Sequence, residues 1–268
     1  MLKDITLGQY LPGDSPVHKL DPRVKLVLTA VLIVMLFAAK NMCGIAVCAV
    51  FCVIGFTVSK VPVTLMIKSL KPIVALVVFT AVLNLFFVHS GEELWRWKML
   101  SVTDEGIRTA FFMVSRIVLL IIGSSLLTYT TSPIDLTDAI ERLMSPLKRI
   151  KVPVHEFAMM MTIALRFIPT LIEETDKIMN AQKARGSELD TGGFTDKVKG
   201  MIPILIPLFV SSFRRAEELA TAMECRCYHG GEGRTRMKQL HTAPRDYAAC
   251  VLTLLFLAGV IAANILFK

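Results

Sequence analysis

The chain has 268 residues, of which 54% are hydrophobic and 19% are charged, and its formal net charge is +8. This apolar content, with a mean hydropathy of +0.59, excludes a disordered chain or a small disulfide-linked protein and disfavours a purely soluble enzyme. A chain made only of membrane spans would carry less charge, so the sequence must combine two kinds of segment.

Charge-free stretches mark the predicted membrane spans. The first two lie between Lys25 and Lys40 and between Lys40 and Lys60, and they form a hairpin that turns at Lys40-Asn41. At about 21 Å the first span is shorter than the roughly 30 Å hydrocarbon core, unless its flanking lysines extend it. The later spans are predicted at residues 72–88, 107–131 and 247–267.

Two cysteines, Cys48 and Cys52, lie four residues apart in the second predicted span. This spacing places both thiols on one helix face, where they could chelate a metal ion. Packing inside the membrane is the favoured interpretation, because no His or second Cys pair accompanies them. The six cysteines of the chain predict no disulfide framework.

The distribution of Lys and Arg among the connecting segments predicts the orientation of the spans. The N-terminal segment and residues 59–71 and 132–245 are rich in Lys and Arg, whereas acidic residues dilute the basic ones in the 89–106 loop. The positive-inside rule therefore places the N-terminus and residues 132–245 in the cytoplasm and the C-terminus outside. Trp95 and Trp97 lie in the outer loop, where we expect them to anchor the chain at the membrane interface.

Residues 132–245 begin with a strong helix start. Ser132 is a suitable N-cap, Pro133 fits the first turn, and Asp135 follows at the position of a capping-box acid. The sequence predicts a short amphipathic helix from here to about Leu147.

Two longer helices follow, one from about His155 to Arg185 and one from Thr195 to the glycines at 230–231. Each carries an apolar stripe on one face. Neither has an uninterrupted apolar run long enough to cross a bilayer. The pair could pack against itself and the spans beneath the membrane, or it could form a platform for another protein.

The ends of these two helices resemble each other. Ala184-Arg185-Gly186 and Cys225-Arg226-Cys227 each place an arginine between two small residues. An arginine near a helix C-terminus complements the helix dipole, which is a purely structural reason for its position. Small neighbours also leave the guanidinium accessible, and its planar fork suits a carboxylate or backbone partner. Spacing alone leaves both interpretations open.

Motifs for catalysis do not match. The glycine-rich residues 230–235 lack the lysine and the spacing of a phosphate-binding loop, and neither a zinc-protease motif nor a nucleophile elbow is present in the sequence. The basic charge lacks the interleaved aromatic residues of a nucleic-acid-binding surface. A membrane-embedded enzyme is therefore poorly supported.

Arg116 is the one charge deep inside a predicted span, with Arg108 near the outer edge of the same span, and no Asp or Glu lies in any of the spans. The missing acids disfavour a proton-coupled carrier. Arg116 could serve a self-contained carrier or channel, or it could be a structural arginine bonded to a neighbouring helix.

Three separated motifs carry a family resemblance: residues 18–25 (HKLDPRVK), 165–171 (LRFIPTL) and 181–186 (AQKARG). In this order they resemble the transmembrane T component of energy-coupling factor transporters, a family that includes the CbiQ-like cobalt-uptake subunits. Residues 224–237 look most like the shared-module members that serve several vitamin receptors. The resemblance covers essentially the whole chain.

The resemblance implies a non-catalytic subunit that joins two cytoplasmic ABC ATPases to a small membrane-embedded substrate-binding S component. The two coupling motifs of the family map onto Ala184-Arg185-Gly186 and Cys225-Arg226-Cys227, although Cys replaces the commoner Ala and Gly in the second. In the family each arginine docks into a groove of one ATPase. The unlike tips favour two different ATPases, which would hold ATP and Mg while this chain binds no cofactor or metal.

An S component requires an adaptable contact surface. Methionine side chains and proline-marked helix faces provide one, and the expected transport is the uptake of a vitamin or a metal. The candidate contact residues are Met159, Met160, Met161, Pro169, Pro203 and Pro207.

The predicted fold is an all-α polytopic membrane protein of the cell membrane, with about five transmembrane helices and long amphipathic cytoplasmic coupling helices. Residues 1–131 form a membrane part with four spans, residues 132–245 the cytoplasmic coupling-helix domain, and residues 246–268 the last span. The expected partners are the two ATPases, the S component and the lipid bilayer, without nucleic acid. The alternative is a self-contained membrane carrier or channel.

Overall fold

The computed structural model describes residues 10–87, 93–97, 100–186, 193–230 and 240–266. The chain divides into two compact units. We call the described residues of 10–139 and 240–266 the membrane unit, and those of 140–230 the helical-pair unit.

Helices dominate the described residues, which confirms the predicted all-α membrane fold. In chain order they are α1 (Pro22–Ala38), α2 (Met42–Ser59), α3 (Val63–Leu70), α4 (Val74–Phe87), α5 (Asp104–Thr130), α6 (Pro133–Leu143), α7 (Val154–Ala184), α8 (Phe194–Cys225) and α9 (Pro244–Leu266). Short 3-10 turns follow α3 at Lys71–Ile73 and α6 at Ser145–Ile150.

The 89–106 loop contains a small antiparallel hairpin that the sequence did not predict. Its strands are β1 (Glu93–Trp97) and β2 (Leu100–Thr103), and Trp97 pairs with Leu100 across the turn. The predicted membrane anchoring by Trp95 and Trp97 concerns side chains outside the described part of the structure. It stays a prediction.

Five helices in the described part of the chain are long and apolar enough to cross a membrane, which is the predicted number. Four of them match predicted spans: α2, α3 with α4, α5 and α9. The fifth is α7 rather than α1, because α1 has only 17 residues. The apolar run of α7 is interrupted by Arg166, so the sequence alone did not indicate a span there.

The core of the membrane unit forms among α1, α2, α5 and α9. Its fully buried apolar side chains are Met35, Leu36, Ala39, Cys48 and Val260. Cys48 and Cys52 both lie in this core, so apolar packing accounts for their positions. No group of His, Cys, Asp or Glu suited to a metal ion occurs among the described residues.

Capping residues set the starts of several helices. Asp21 accepts a hydrogen bond from the Arg23 amide (2.9 Å) at the start of α1, directly before Pro22. Ser132 accepts one from the Asp135 amide (3.1 Å) and donates one to the Asp135 carboxylate (2.8 Å), which confirms the predicted helix start.

The helical-pair unit differs from the prediction at one helix end. Helix α6 stops at Leu143 instead of Leu147, because Pro146 has no amide hydrogen and its ring disrupts the preceding turn, which tightens into the 3-10 turn. Helix α7 continues through Pro169, and α8 continues through Pro203 and Pro207. Two predictions concern parts of the chain outside the described structure. They are the side chain of Thr195, at the predicted start of the second long helix, and residues 231–237, which carry part of the family resemblance.

Candidate functional site

The first small-Arg-small motif forms the C-terminal cap of α7. The Arg185 amide donates to the carbonyl oxygens of Ala181 (3.2 Å) and Gln182 (3.1 Å), which completes the last helical turn. Gly186 follows with φ +84°, in the left-handed region that favours glycine, and its amide donates to Lys183 O (3.0 Å). A Cβ at Gly186 would meet no atom within 4 Å, so backbone conformation rather than crowding selects glycine.

The second motif forms the same cap at the end of α8. Cys227 stands where Gly186 stands in α7, with φ +57°. Its amide donates to Glu224 O (2.9 Å), and the amide of Tyr228 donates to Met223 O (3.1 Å), as in a Schellman motif. The two helices therefore stop in the same way, each with an arginine directly before a left-handed residue.

Arg185 and Arg226 are both exposed, and neither forms an ion pair with another described residue. The flanking residues Ala184, Cys225 and Cys227 are exposed as well, so little surrounds either guanidinium. A guanidinium at the capped end of a helix suits insertion into a groove of another protein.

Helices α7 and α8 run antiparallel. Glu174 forms an ion pair with Arg215 and accepts a hydrogen bond from Ser211 (3.3 Å). Gln182 on α7 donates to the carbonyl of Pro203 on α8 (3.2 Å). Contacts later in α7 therefore meet earlier positions in α8, which fixes the antiparallel sense.

The Glu174–Arg215 ion pair lies midway between the two arginine tips. Arg185 is 11 residues beyond Glu174, and Arg226 is 11 residues beyond Arg215. At about 1.5 Å per residue each tip stands roughly 16 Å from the ion pair, in opposite directions. The tips can therefore lie up to about 33 Å apart, too far for one small groove to hold both.

The candidate S-component contacts lie on the two long helices. Met160, Met161 and the three prolines are exposed, whereas Met159 is half-buried. The exposed apolar surface extends well beyond these candidates on α8. It includes Met201, Leu205, Ile206, Phe209, Val210 and Phe213, of which Leu205, Phe209 and Phe213 belong to the predicted apolar stripe.

The motif at residues 18–25 forms a polar network that the sequence alone did not indicate. The buried carboxylate of Asp246, at the start of α9, accepts from the amides of Asp21 (2.9 Å) and Ala243 (2.6 Å). The guanidinium of Arg23 pairs with the Asp21 carboxylate (3.1 Å) and donates to Leu240 O (2.8 Å). The network joins the start of α1 to the start of α9, and no local sequence signal marks a contact between residues 225 positions apart.

Lys25 extends this network to α5. Its ammonium is buried, with 6% of the residue exposed, and it donates to the carbonyl oxygens of His18 (3.0 Å) and Thr130 (2.8 Å). Tyr129 O, next to Thr130, accepts from the Leu11 amide (3.0 Å). The N-terminal segment is thus bound to three helices of the membrane unit.

Arg116 has structural partners inside the membrane unit. Its guanidinium donates to Ala39 O (2.9 Å) at the C-terminal cap of α1 and lies 4.6 Å from the ring centroid of Phe112. Asn264 on α9 also contacts the end of α1, where it donates to Ala38 O (2.8 Å) and accepts from the Lys40 amide (3.1 Å). These contacts favour the structural interpretation of Arg116.

The sequence model of the CbiQ family, described as a cobalt transport protein, matches residues 13–237. The chain belongs to the CbiQ family. Relatives of this CbiQ-family chain include the energy-coupling factor transporter transmembrane proteins EcfT of Clostridium kluyveri, 58% identical over 95% of both chains, and of Ruminiclostridium cellulolyticum, 54% identical over 97% of both. The EcfT of Bacillus subtilis is 44% identical over 97% of this chain and 98% of its own.

Family membership and the helices agree on the broad role. This CbiQ-family chain is a multi-pass membrane protein and a subunit of a transporter. The predicted resemblance to energy-coupling factor T components is confirmed.

Proposed function

We propose that this chain is the non-catalytic coupling subunit of an energy-coupling factor importer. It connects two ABC ATPase subunits to a substrate-binding S component and transmits ATP-driven motion between them for vitamin or metal uptake. The observation that carries the proposal is the pair of exposed arginines, Arg185 and Arg226, on matching caps.

The separation of the tips supports one ATPase at each arginine. Each ATPase would receive its guanidinium in a groove with a carboxylate or carbonyl acceptor. The tips carry Ala and Gly in one motif and Cys on both sides in the other, which supports two different ATPases. ATP and Mg belong to those subunits, and this chain holds no cofactor of its own.

The antiparallel pair can transmit motion because its helices are cross-linked by polar contacts. The Glu174–Arg215 ion pair and the Gln182–Pro203 hydrogen bond hold the two helices together near their crossing point. When the ATPases close on ATP, the tips approach each other because the helices pivot about these contacts and the angle between them changes. The exposed apolar face of α8, with Met159, Met160 and Met161 on α7, would pass this movement to the S component.

The same proposal fixes the placement in the cell membrane. The N-terminus and the arginine tips face the cytoplasm, where ATP is available, and the C-terminus lies outside. The alternative of a self-contained carrier or channel depends on Arg116, and its hydrogen bond to Ala39 and its stacking on Phe112 favour a structural role instead.

The proposal is tested by Arg185→Ala and Arg226→Ala, singly and together, in cells that express the ATPases and an S component. Truncating a buried, paired arginine at an interface costs about 2–5 kcal/mol, so each variant should weaken ATPase binding at least about 30-fold. Co-purification of the ATPases and substrate uptake provide the two measurements.

Arg214→Ala is the matched control, because Arg214 is also exposed on α8 but lies more than three helix turns from Arg226. This variant should bind the ATPases and support uptake like the wild type. Undiminished uptake by a membrane-inserted double variant would contradict the proposal.

A further inference from the structure

The membrane unit contains a partly open apolar cavity of roughly 350 Å³. Helices α1, α2, α5 and α9 and the segment before α1 form its wall. One end is closed where Leu32 approaches Gly123 so tightly that a Cβ there would lie 2.4 Å from the leucine methyl carbon. The other end lies at Lys25 and Arg245, the first lining residues of α1 and α9.

The three threonine hydroxyls in the wall use their hydrogen atoms within their own helices. Thr29, Thr130 and Thr253 each donate to the carbonyl four residues earlier, at 2.8 to 2.9 Å. Most of the other lining residues are apolar, and apolar cavities accept apolar ligands. The cavity therefore suits a hydrocarbon chain.

One end of the cavity carries an exposed cation. Arg245 is exposed and forms no ion pair with another described residue. Lys25 lines the same end but is buried, where it donates to two carbonyls and interacts with the carboxylates of Asp135, Asp246 and Asp21. Arg245 is therefore the lining side chain that can contact an anion outside the cavity.

The length of the cavity matches one leaflet of a bilayer. Along α9 the lining residues run from Arg245 to Thr253, which corresponds to about 12 Å of helix, less than half of the roughly 30 Å hydrocarbon core. A lipid whose headgroup lies at Arg245 can therefore place one acyl chain in the cavity.

We propose that this cavity binds an acyl chain of an anionic phospholipid, with the phosphate held by Arg245. The lipid would fill the space among α1, α2, α5 and α9 that no side chain occupies. The site lies wholly in the membrane unit, and it stands whether or not the arginine tips bind ATPases.

The test uses the full chain in nanodiscs with photoactivatable phosphatidylglycerol or phosphatidylcholine carrying the reactive group on the acyl chain. Labelled peptides are mapped by mass spectrometry. We expect phosphatidylglycerol to label residues 28–32 and 248–253 about fivefold more than phosphatidylcholine, the factor expected for one basic residue facing an anionic headgroup. Arg245→Gln should remove this preference, whereas Lys40→Gln, at the far end of α1, should not.

Two filling variants test the position of the chain. Ala249→Phe and Leu252→Phe place a ring in the cavity and should abolish the labelling of residues 28–32, whereas Leu255→Phe on the exposed face of α9 should leave it unchanged. If neither filling variant folds, the mapping on the wild-type chain decides. Three outcomes would overturn the proposal: equal labelling by both lipids, labels confined to the outer face of α9, or labelling that disappears when partner subunits bind. The last outcome would assign the cavity to a helix of a partner protein.

Discussion

Cys227 occupies a backbone position that glycine fills in the matching motif. Left-handed backbone costs a residue with a side chain roughly 1 kcal/mol, although glycine loses part of this advantage through its larger entropy in the unfolded chain. Cys227→Gly should therefore leave the end of α8 as stable as the wild type or more stable, by up to about 1 kcal/mol. Hydrogen exchange at the amides of Cys227 and Tyr228 measures this local stability.

The same substitution two residues earlier is the control. Cys225 is the last residue of α8 and has helical backbone, so Cys225→Gly should destabilise the helix end by up to about 1 kcal/mol. Faster exchange in Cys227→Gly than in the wild type would contradict the capping interpretation. Arg226 should keep its function in both variants, because neither changes the guanidinium.

Asp246 is the residue on which the network between α1 and α9 depends. It is buried, with 2% exposed, and its two oxygens satisfy the amides of Asp21 and Ala243. Asp246→Ala would leave both amides without an acceptor, at about 1–3 kcal/mol each. We expect a clear fall in thermal stability of the detergent-solubilised chain.

Asp246→Asn is the conservative comparison, because the amide oxygen can still accept one of the two hydrogen bonds. Its loss of stability should be about half that of Asp246→Ala. Equal stability of the alanine variant and the wild type would mean that the network contributes nothing to folding.

At the scale of elements, the antiparallel pair of α7 and α8 predicts where the arginine tips stand. Spin labels introduced by unnatural amino acids at positions 184 and 224 should lie about 30 Å apart, because each position is nine or ten residues beyond the Glu174–Arg215 ion pair. Pulsed electron spin resonance measures the distance. Positions 177 and 210 lie at the same level of the pair, near the ion pair, by the pairing of Glu174 with Arg215 and of Gln182 with Pro203. Labels there should be separated by roughly the 8–10 Å between packed helix axes plus the label arms. Tip labels closer than about 15 Å would contradict the antiparallel arrangement.

Local signals explain which elements could be predicted. The gaps between charges located α2, α5 and α9, and the Ser132–Asp135 cap marked α6, because each signal lies within the element it describes. The paired ends at Arg185 and Arg226 were also visible as a local pattern. The contact of Asp21 with Asp246 was not, because it depends on where distant helices pack.

A second class of feature stayed open because the sequence pattern has two structural outcomes. An apolar stripe predicts a buried face, yet Phe209 on α8 is 66% exposed. The same stripe occurs in a helix that packs within its own chain and in a helix whose apolar face binds a partner or lipid. Only the exposed surface of the folded chain separates the two.

At the scale of the whole molecule, apolar surface is exposed in both units. Lipid accounts for the outer faces of the spanning helices, such as Leu254 and Leu255 on α9. The exposed face of α8 includes Phe209 and Phe213, whose ring centroids lie 4.8 Å apart. A contiguous apolar patch of this kind marks an interaction surface. A chain built this way works as part of an assembly.

This view of the whole molecule predicts that Arg116 is dispensable for transport itself. Arg116→Met removes the hydrogen bond to Ala39 O and should lower stability by about 1–3 kcal/mol, while uptake per assembled transporter stays within about twofold of the wild type. Uptake by the complete transporter in liposomes, normalised to assembled protein, measures this, with exposed Arg108→Met on the same helix as the control. The chain alone should carry no substrate. Flux through the chain alone that is lost with Arg116 would establish the carrier alternative, because a structural arginine at the α1 cap has no reason to gate a pathway.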